Sequence, residues 1–589
     1  MQTPTMMNTT TVGSRRSRRF YLNLVTGTLV LAGVLPAWAA TLTVTNTDDS
    51  GAGSLRDTIA TASPGDTIQF SVPNPSAITL TSGKLLITKD LTINGPGAAR
   101  LALDGNRADR VFEISRGVTV TLSGLTIQNG TGGGIFNFGT LTLTDSTVSG
   151  NSGGGIVNYG GTATLTNSTV SNNSGGGISN EGTLTLTDST VSGNSGGGLN
   201  SYNSTATLTN STVSGNSDRG GIENTAGTLT LTNSTVSGNS IPGGVGGGIY
   251  NSVGVMGTVA HLTLINSTVS GNSASFDGGG LYNEGGTATL TNSTVSGNSA
   301  SGSGGGLYSR ATLLTLTNST VASNSASNGG GLYSVGGVPL TVKNTLLANN
   351  NGGNCGGHAP VSQGYNVSDD STCAAAFTQT GDQNDVVPGA GLDPQGLQNH
   401  GGPTQTIALL PDSPAVDAIP VAACTDTSGN PVQTDQRGIA RPQGVGCDVG
   451  AFELVPAVPF SDFRAHLVLR TGHPSGFHLT SWFTLGQASQ GLQPLTEAVT
   501  LQIANYTVTL PAGSLHPVQK GPHTRYRYEG TVNGTHLELD LLSRDGNQYE
   551  LKASGFPVTW TDLKNPVTVS LSIGPDTGST TVHAFISPF

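Results

Sequence analysis

Between Val118 and Asn351 only eleven side chains carry a charge or an imidazole: Asp145, Glu181, Asp188, Asp218, Arg219, Glu223, His261, Asp277, Glu284, Arg310 and Lys343. Cleaving a sugar chain would take two carboxylates as a general acid/base pair, or carboxylates holding Ca²⁺ with an Arg or Lys as base. Asp145 and Asp188 share one position of a repeat, with Asn167 between them. Two repeats of a stacked strand put them about 10 Å apart, wider than the ~6.5–9.5 Å of an inverting pair. The repeat therefore reads as non-catalytic. Asp90, Asp104, Asp109 and Glu113, before the regular copies, keep a carbohydrate-active enzyme open as the alternative.

Two further groups bear on function. Tyr250, Tyr282, Tyr308 and Tyr333 each follow the Ile or Leu of a Gly-Gly-Gly-Ile/Leu block. Alternation points them outward, stacked over four successive repeats. They form either an aromatic strip for sugar rings or a partner, or a self-stacking ladder that stabilises the surface. Farther on, Asp417, Asp435, Asp448 and Glu453 lie near Arg437. They form either a Ca²⁺ site or a buried Arg–carboxylate network that braces the chain. No other cofactor is indicated.

The element that positions these residues is the repeat itself. The apolar residue of its Ser-Thr-Val block recurs at Ile127, Val148, Val170, Val191, Val213, Val236, Val269, Val295, Val321 and Leu346, with one long gap before Val269. Periods of roughly 20–50 residues mark solenoids, propellers or arrays, and a propeller blade needs about 40–45. Leu141 and Leu143 alternate with threonines, the period of a half-buried strand. About 22 residues at ~3.3 Å each close one three-sided coil. The expectation is an all-β chain: a right-handed parallel β-helix of roughly a dozen coils, an irregular module, and a C-terminal antiparallel β-sandwich. Position-on-position stacking makes a structural ladder of Asn151, Asn173, Asn194, Asn216, Asn239, Asn272, Asn298 and Asn324.

Composition bounds the class. The chain has 589 residues, 87 Gly, 10% charged residues and a net charge of −11. An acidic chain has no electrostatic footprint for nucleic acid. Residues 1–39 read as a signal peptide, with Arg15, Arg16, Arg18 and Arg19 before an apolar run and Ala37-Trp38-Ala39 at the cleavage site. Ser17-Arg18-Arg19-Phe20-Tyr21-Leu22 also approaches a twin-arginine signal, with Tyr21 where Phe is usual, and the general secretory route is the favoured one. No later run is long enough for a transmembrane helix.

Residues 40–117 read as an amphipathic cap and first coils. Gly53-Ser54-Leu55-Arg56-Asp57-Thr58 resembles the leader of many bacterial secreted β-helix proteins, with Gly53 where that leader has Cys. In 118–351 the Gly-Gly-Gly-Ile and Val-x-x-Asn blocks resemble the GGAI and FxxN repeats of the polymorphic outer-membrane protein family, with Val in place of Phe. That resemblance implies a surface adhesin. In 352–455, the stretches 397–418 and 434–453 resemble the choice-of-anchor Q domain of bacterial surface β-helix proteins, which implies a surface location. All four cysteines lie here, and proximity pairs Cys355 with Cys373 and Cys424 with Cys447. Residues 456–589 hold about nine alternating strands, read as the sandwich, with a small outer-membrane barrel ending at Phe589 as the rival.

These readings converge on an exported surface protein for adhesion or envelope structure. Its partner would be the cell envelope or a host or glycan surface. The alternatives are a polysaccharide lyase or hydrolase and a non-catalytic glycan-binding protein.

Overall fold

The computed structural model describes residues 39–588 except 339, 490, 521–522, 545 and 562. The expected signal peptide lies outside the described residues, apart from Ala39, as does Phe589. From Thr41–Val44 to Val367–Ser368 the chain winds a parallel β-solenoid of about 13 turns, with sheets of 14, 12 and 13 strands. Each coil contributes one strand to each sheet. Thr140–Thr144 lies on the leucine face, Thr147–Ser149 on the valine face and Ile156–Asn158 on the asparagine face. Alternation settles what is inside. Leu141, Leu143, Val148 and Ile156 are buried, while the intervening threonines face out.

Three buried polar columns hold the coils in register. Asn194 Nδ2 donates to Asn216 Oδ1 of the next coil (2.9 Å) and to the Val170 carbonyl (3.1 Å), while its own Oδ1 accepts the backbone N–H of Asn173 (3.0 Å). The same pattern joins Asn151 to Asn173 and runs through Asn239, Asn272, Asn298 and Asn324 to Asn350. A second column links Asn137, Asn158 and Asn180, then resumes at Asn224, Asn251 and Asn283. A third is made of serines: the N–H of Ser146 donates to Ser168 Oγ, that of Ser168 to Ser189, that of Ser189 to Ser211. The glycine runs make the corner between the valine and asparagine faces. A Cβ on Gly155 would stand 2.6 Å from Val170 Cγ1 and 2.6 Å from the Gly177 carbonyl, so only glycine fits.

Both ends of the core are closed. At the start, the helix α1 (Leu55–Thr61), capped by Ser54, packs Leu55 and Ile59 into the core. Asp49 pins this cap, accepting from Arg56 Nη2 (2.7 Å), from the Ser82 N–H (2.7 Å) and from Thr81. At the far end, the Cys355–Cys373 disulfide and Phe377 cover the last coils. That last coil (Cys355–Gly357, Val361–Ser362, Val367–Ser368) falls within the stretch read from sequence as irregular.

Residues 388–455 then fold back along the valine face. Gln436 hydrogen-bonds Thr268 and Thr294 (2.8 and 2.6 Å), and the Ala451 N–H donates to Thr320 (2.9 Å). In the coils beneath, Ala322, Leu346 and Ala348 replace outward Thr and Ser and join the core of this module, so Leu347, and not Leu346 as the repeat period suggested, continues the inward column after Val321. Residues 456–588 form a five-stranded and a seven-stranded sheet, largely antiparallel, around a shared core that includes Leu467, Phe477, Leu501 and Leu539. The two sheets are separate layers, the sandwich rather than the barrel. No helix among the described residues is long and apolar enough to cross a membrane.

Two outcomes test this account. Asn194→Ala removes partners from the buried Asn173 N–H and the Val170 carbonyl and should cost about 3 kcal/mol, whereas exposed Thr183→Ala should stay within about 0.5 kcal/mol. Urea denaturation checks both. The second concerns Asp49. Burial opposes its ionisation, but hydrogen bonds from Ser82, the Arg56 guanidinium and Thr81 outweigh it and hold the carboxyl down at about 2. A depressed carboxyl stabilises above the ordinary aspartate range near ~3.9 and loses that contribution as pH falls toward the folded-state value. Asp49→Asn should therefore erase the part of the wild-type melting-temperature drop between pH ~4 and ~2 that this group causes.

Candidate functional site: the tyrosine ladder and the cavity at its open end

The outward positions of the asparagine face align coil by coil. Strand register runs Ser179, Asn200, Glu223, Tyr250, Tyr282, Tyr308, Tyr333 and Gly356 along one column. The four expected tyrosines are thus brought together, and their rings stack with centroids 5.7, 4.7 and 5.5 Å apart and planes within 6–21°. They point away from the core, yet Tyr282 and Tyr308 are only 5% and 8% exposed. Coil length explains the burial. The tyrosines coincide with the longer coils, whose extra residues make a small sheet (Ser240–Ile241, Ser273–Ala274, Ser299–Ala300) and a glycine turn folded beside the rings. A Cβ on Gly278 would stand 2.7 Å from Tyr282 Cβ. Burial pushes the Tyr308 phenol up to about 12, with neighbouring Tyr282 and Asp277 adding to it.

This geometry limits which ring faces a ligand can reach. A sugar binds an aromatic ring on its face, and inside the ladder each face is covered by the next tyrosine. The two end rings differ: Tyr333 is followed by Gly356, and Tyr250 is preceded by Glu223 in place of a fifth ring. Around that open end lies a cavity of about 240 Å³ lined by Arg219, Glu223, Ile241, Gly244, Val245 and Tyr250. Glu223 accepts a 2.5 Å hydrogen bond from the Tyr202 hydroxyl and lies 3.8 Å from Arg219. Burial, then that bond to Glu223, raises the Tyr202 phenol to about 12, so it stays a donor. The cavity offers an open aromatic face, an aliphatic wall from the insertion, and a neutralised acid–base pair. Those groups can seat one polar ring. Glu223 is the single carboxylate lining it.

The remaining expected sites fall elsewhere. Asp145 and Asp188 occupy the same left-handed corner as Asn167, with φ of 49°, 50° and 47°. Asn167 Nδ2 donates to Asp145 Oδ1 across one coil, which ties that carboxylate into the corner. In the module, the oxygens of Asp417, Asp435, Asp448 and Glu453 meet N–H donors rather than converging on a point. Asp435 accepts from Arg437 Nε and from the N–H groups of Arg437, Ile439 and Glu453 (2.8–3.0 Å). Glu453 accepts from Arg441 Nη1 (2.9 Å) and the N–H groups of Gln443 and Asp448. Asp448 accepts from the N–H of Asp417 and of Leu454, and Asp417 from that of Gly446. These contacts form an Arg–carboxylate brace, and Arg441, which sequence reasoning passed over, is its centre. Cys355–Cys373 and Cys424–Cys447 are both bonded. Among the described residues, one set of three possible metal ligands lies close together, Glu529, His536 and Glu538 on the sandwich. Arg527 already pairs with both of its glutamates.

A family model described as a right handed beta helix region matches residues 110–269, the coils that lead to and include the cavity. No curated protein matches the chain. The solenoid is accordingly a right-handed parallel β-helix.

The ladder and its end should separate in stability measurements. Tyr308→Ala, deleting a ring buried between two others, should cost about 3–5 kcal/mol. Tyr250→Ala, deleting a ring stacked on one side only, should cost about half as much. Equal losses in chemical denaturation would contradict the claim that Tyr250 keeps one face free.

Proposed function

We propose that the protein is an exported, cell-surface rod that adheres to a glycan without cleaving it, and that a neutral sugar ring seats in the cavity beside Tyr250. One observation carries this reading: the tyrosine stack ends at Glu223, leaving the Tyr250 face open beside Ile241 and Val245. A pyranose presents an apolar face that suits such a ring and hydroxyls that suit a carboxylate and a guanidinium. Glu223 and Arg219 offset each other's charge, which favours an uncharged sugar. The right-handed β-helix and two disulfides are compatible with an extracellular, oxidising setting. On this reading the stretch resembling the choice-of-anchor Q domain serves attachment, and the solenoid carries the cavity away from the surface.

The non-enzymatic part rests on the cavity's single carboxylate, since glycoside hydrolysis uses two. A panel of neutral glycans, screened against residues 40–589 for both binding and release of reducing or unsaturated ends, tests the whole reading. Binding should occur without release, fall at least about tenfold in Tyr250→Ala, and survive in Asn200→Ala, one coil beyond Glu223. Product release would make the protein an enzyme, and binding indifferent to Tyr250 would move the site elsewhere.

A further inference from the structure

The charges of this chain are divided between its parts. Residues 40–455 hold 26 acidic and 12 basic residues, whereas residues 456–589 hold 9 and 8, together with seven of the ten histidines. Much of the basic charge of the sandwich sits on the outer face of its seven-stranded sheet. There Arg525 donates from Nε and Nη2 to Asp540 (2.9 and 2.6 Å). On the neighbouring strand Glu550, its side chain only 7% exposed, pairs with both Arg544 and Lys552. These five residues and Leu542 line a cavity of about 290 Å³. Three cations face two carboxylates, and both carboxylates are committed to intramolecular pairs. Arg525 uses two of its five N–H groups on Asp540, so donors remain for a ligand.

Beside this cavity stands an unpartnered aromatic. Trp482 is the cross-strand neighbour of Glu550 and is 46% exposed. Direct cross-strand neighbours have Cβ atoms about 4.5–5.5 Å apart, so the indole adjoins the charged cavity. On its other side the register partner is Arg464, also exposed and paired with Asp462 (2.9 Å). A flat ring next to a cavity with one cation more than its carboxylates matches a sugar that carries its own negative charge.

We propose that this face binds an acidic polysaccharide, with a sugar ring on Trp482 and its carboxylate or sulfate groups on Arg525, Arg544 and Lys552. The site is independent of the Tyr250 cavity and differs from it in charge preference. The acidic solenoid does not forbid a polyanion here, because at physiological ionic strength repulsion is screened beyond about 8 Å.

The test uses residues 40–589 with polygalacturonate as the carboxylate probe, heparin as the sulfate probe and dextran as the neutral control. At least one acidic polymer should bind, any dextran binding should be unaffected by substitutions on this face, and raising NaCl from about 50 to about 300 mM should weaken binding of the acidic polymer. Trp482→Ala and Arg525→Gln should each weaken it at least about tenfold, Trp482→Phe should retain most of it, and Tyr250→Ala should leave it unchanged. Both side chains lie outside the sandwich core, so circular dichroism should show all variants folded. If Trp482→Ala unfolds, Arg525→Gln carries the comparison alone. The proposal fails if neither acidic polymer binds, if dextran binding falls equally in Trp482→Ala and Arg525→Gln, or if acidic-polymer binding ignores both residues. It also fails if light scattering shows a second copy's acidic solenoid occupying this face. Failure here with success at Tyr250, or the reverse, leaves the other site standing.

Discussion

Everything in the solenoid depends on one constraint: each residue meets its own counterpart one strand spacing away, about 4.8 Å up and down the axis. Groups that complement themselves thrive there. An asparagine amide both donates and accepts, so Asn173 can receive from Asn151 and give to Asn194 without an unsatisfied atom between them. A serine hydroxyl does the same with the backbone N–H of the coil before it. Like charges do not. Two ionised carboxylates at that spacing repel by about 1 kcal/mol even in bulk water, and by more beside an apolar core. This accounts for the low charge of the repeat, and for the corner where Asp145, Asn167, Asp188 and Asn210 alternate, since the intervening amide can donate to the acid.

The same constraint decides where function can sit. Neutral tyrosines tolerate stacking, and once stacked they hide their faces from any ligand. A regular column is therefore chemically closed, and only its interruptions offer anything to bind. The column of the asparagine face is interrupted where Glu223 meets Tyr250, and the long coil supplies Ile241, Gly244 and Val245 as a wall at that point. The lengthening of successive coils both shields the interior rings and builds the cavity at their end.

Much of this was legible in the sequence because the repeat is periodic and each inward position is chemically plain. Leu141, Val148 and Ile156 declare the three faces, and Asn151 and its successors declare the ladder. The serine column was missed because Ser146 and its equivalents read as ordinary turn residues, and their burial comes only from the coil above. The cavity was missed for a similar reason: Arg219, Glu223 and Val245 are unremarkable singly, and register alone brings them to Tyr250. The signal was present in the lengthening of the coils where the tyrosines begin. In the module, Asp435 and Glu453 were correctly grouped with an arginine, but Arg441 was hidden because its contacts to Glu453 and to the Asp448 and Gly450 carbonyls exist only after the chain turns back on itself.

That return of the chain explains why the last coils depart from the pattern. A solenoid face made of Thr and Ser binds water well and another protein layer poorly. Where residues 388–455 lie on the valine face, outward positions that were Thr and Ser become Leu346, Ala322 and Ala348, while Thr268, Thr294 and Thr320 remain and are buried against Gln436 and the Ala451 N–H. The layer is held by apolar contact near the end of the rod and by matched hydrogen bonds further back. Covering the valine face leaves two of the three faces, the leucine face and the asparagine face with its open end at Tyr250, so the segment that closes one side of the rod narrows where a ligand can approach.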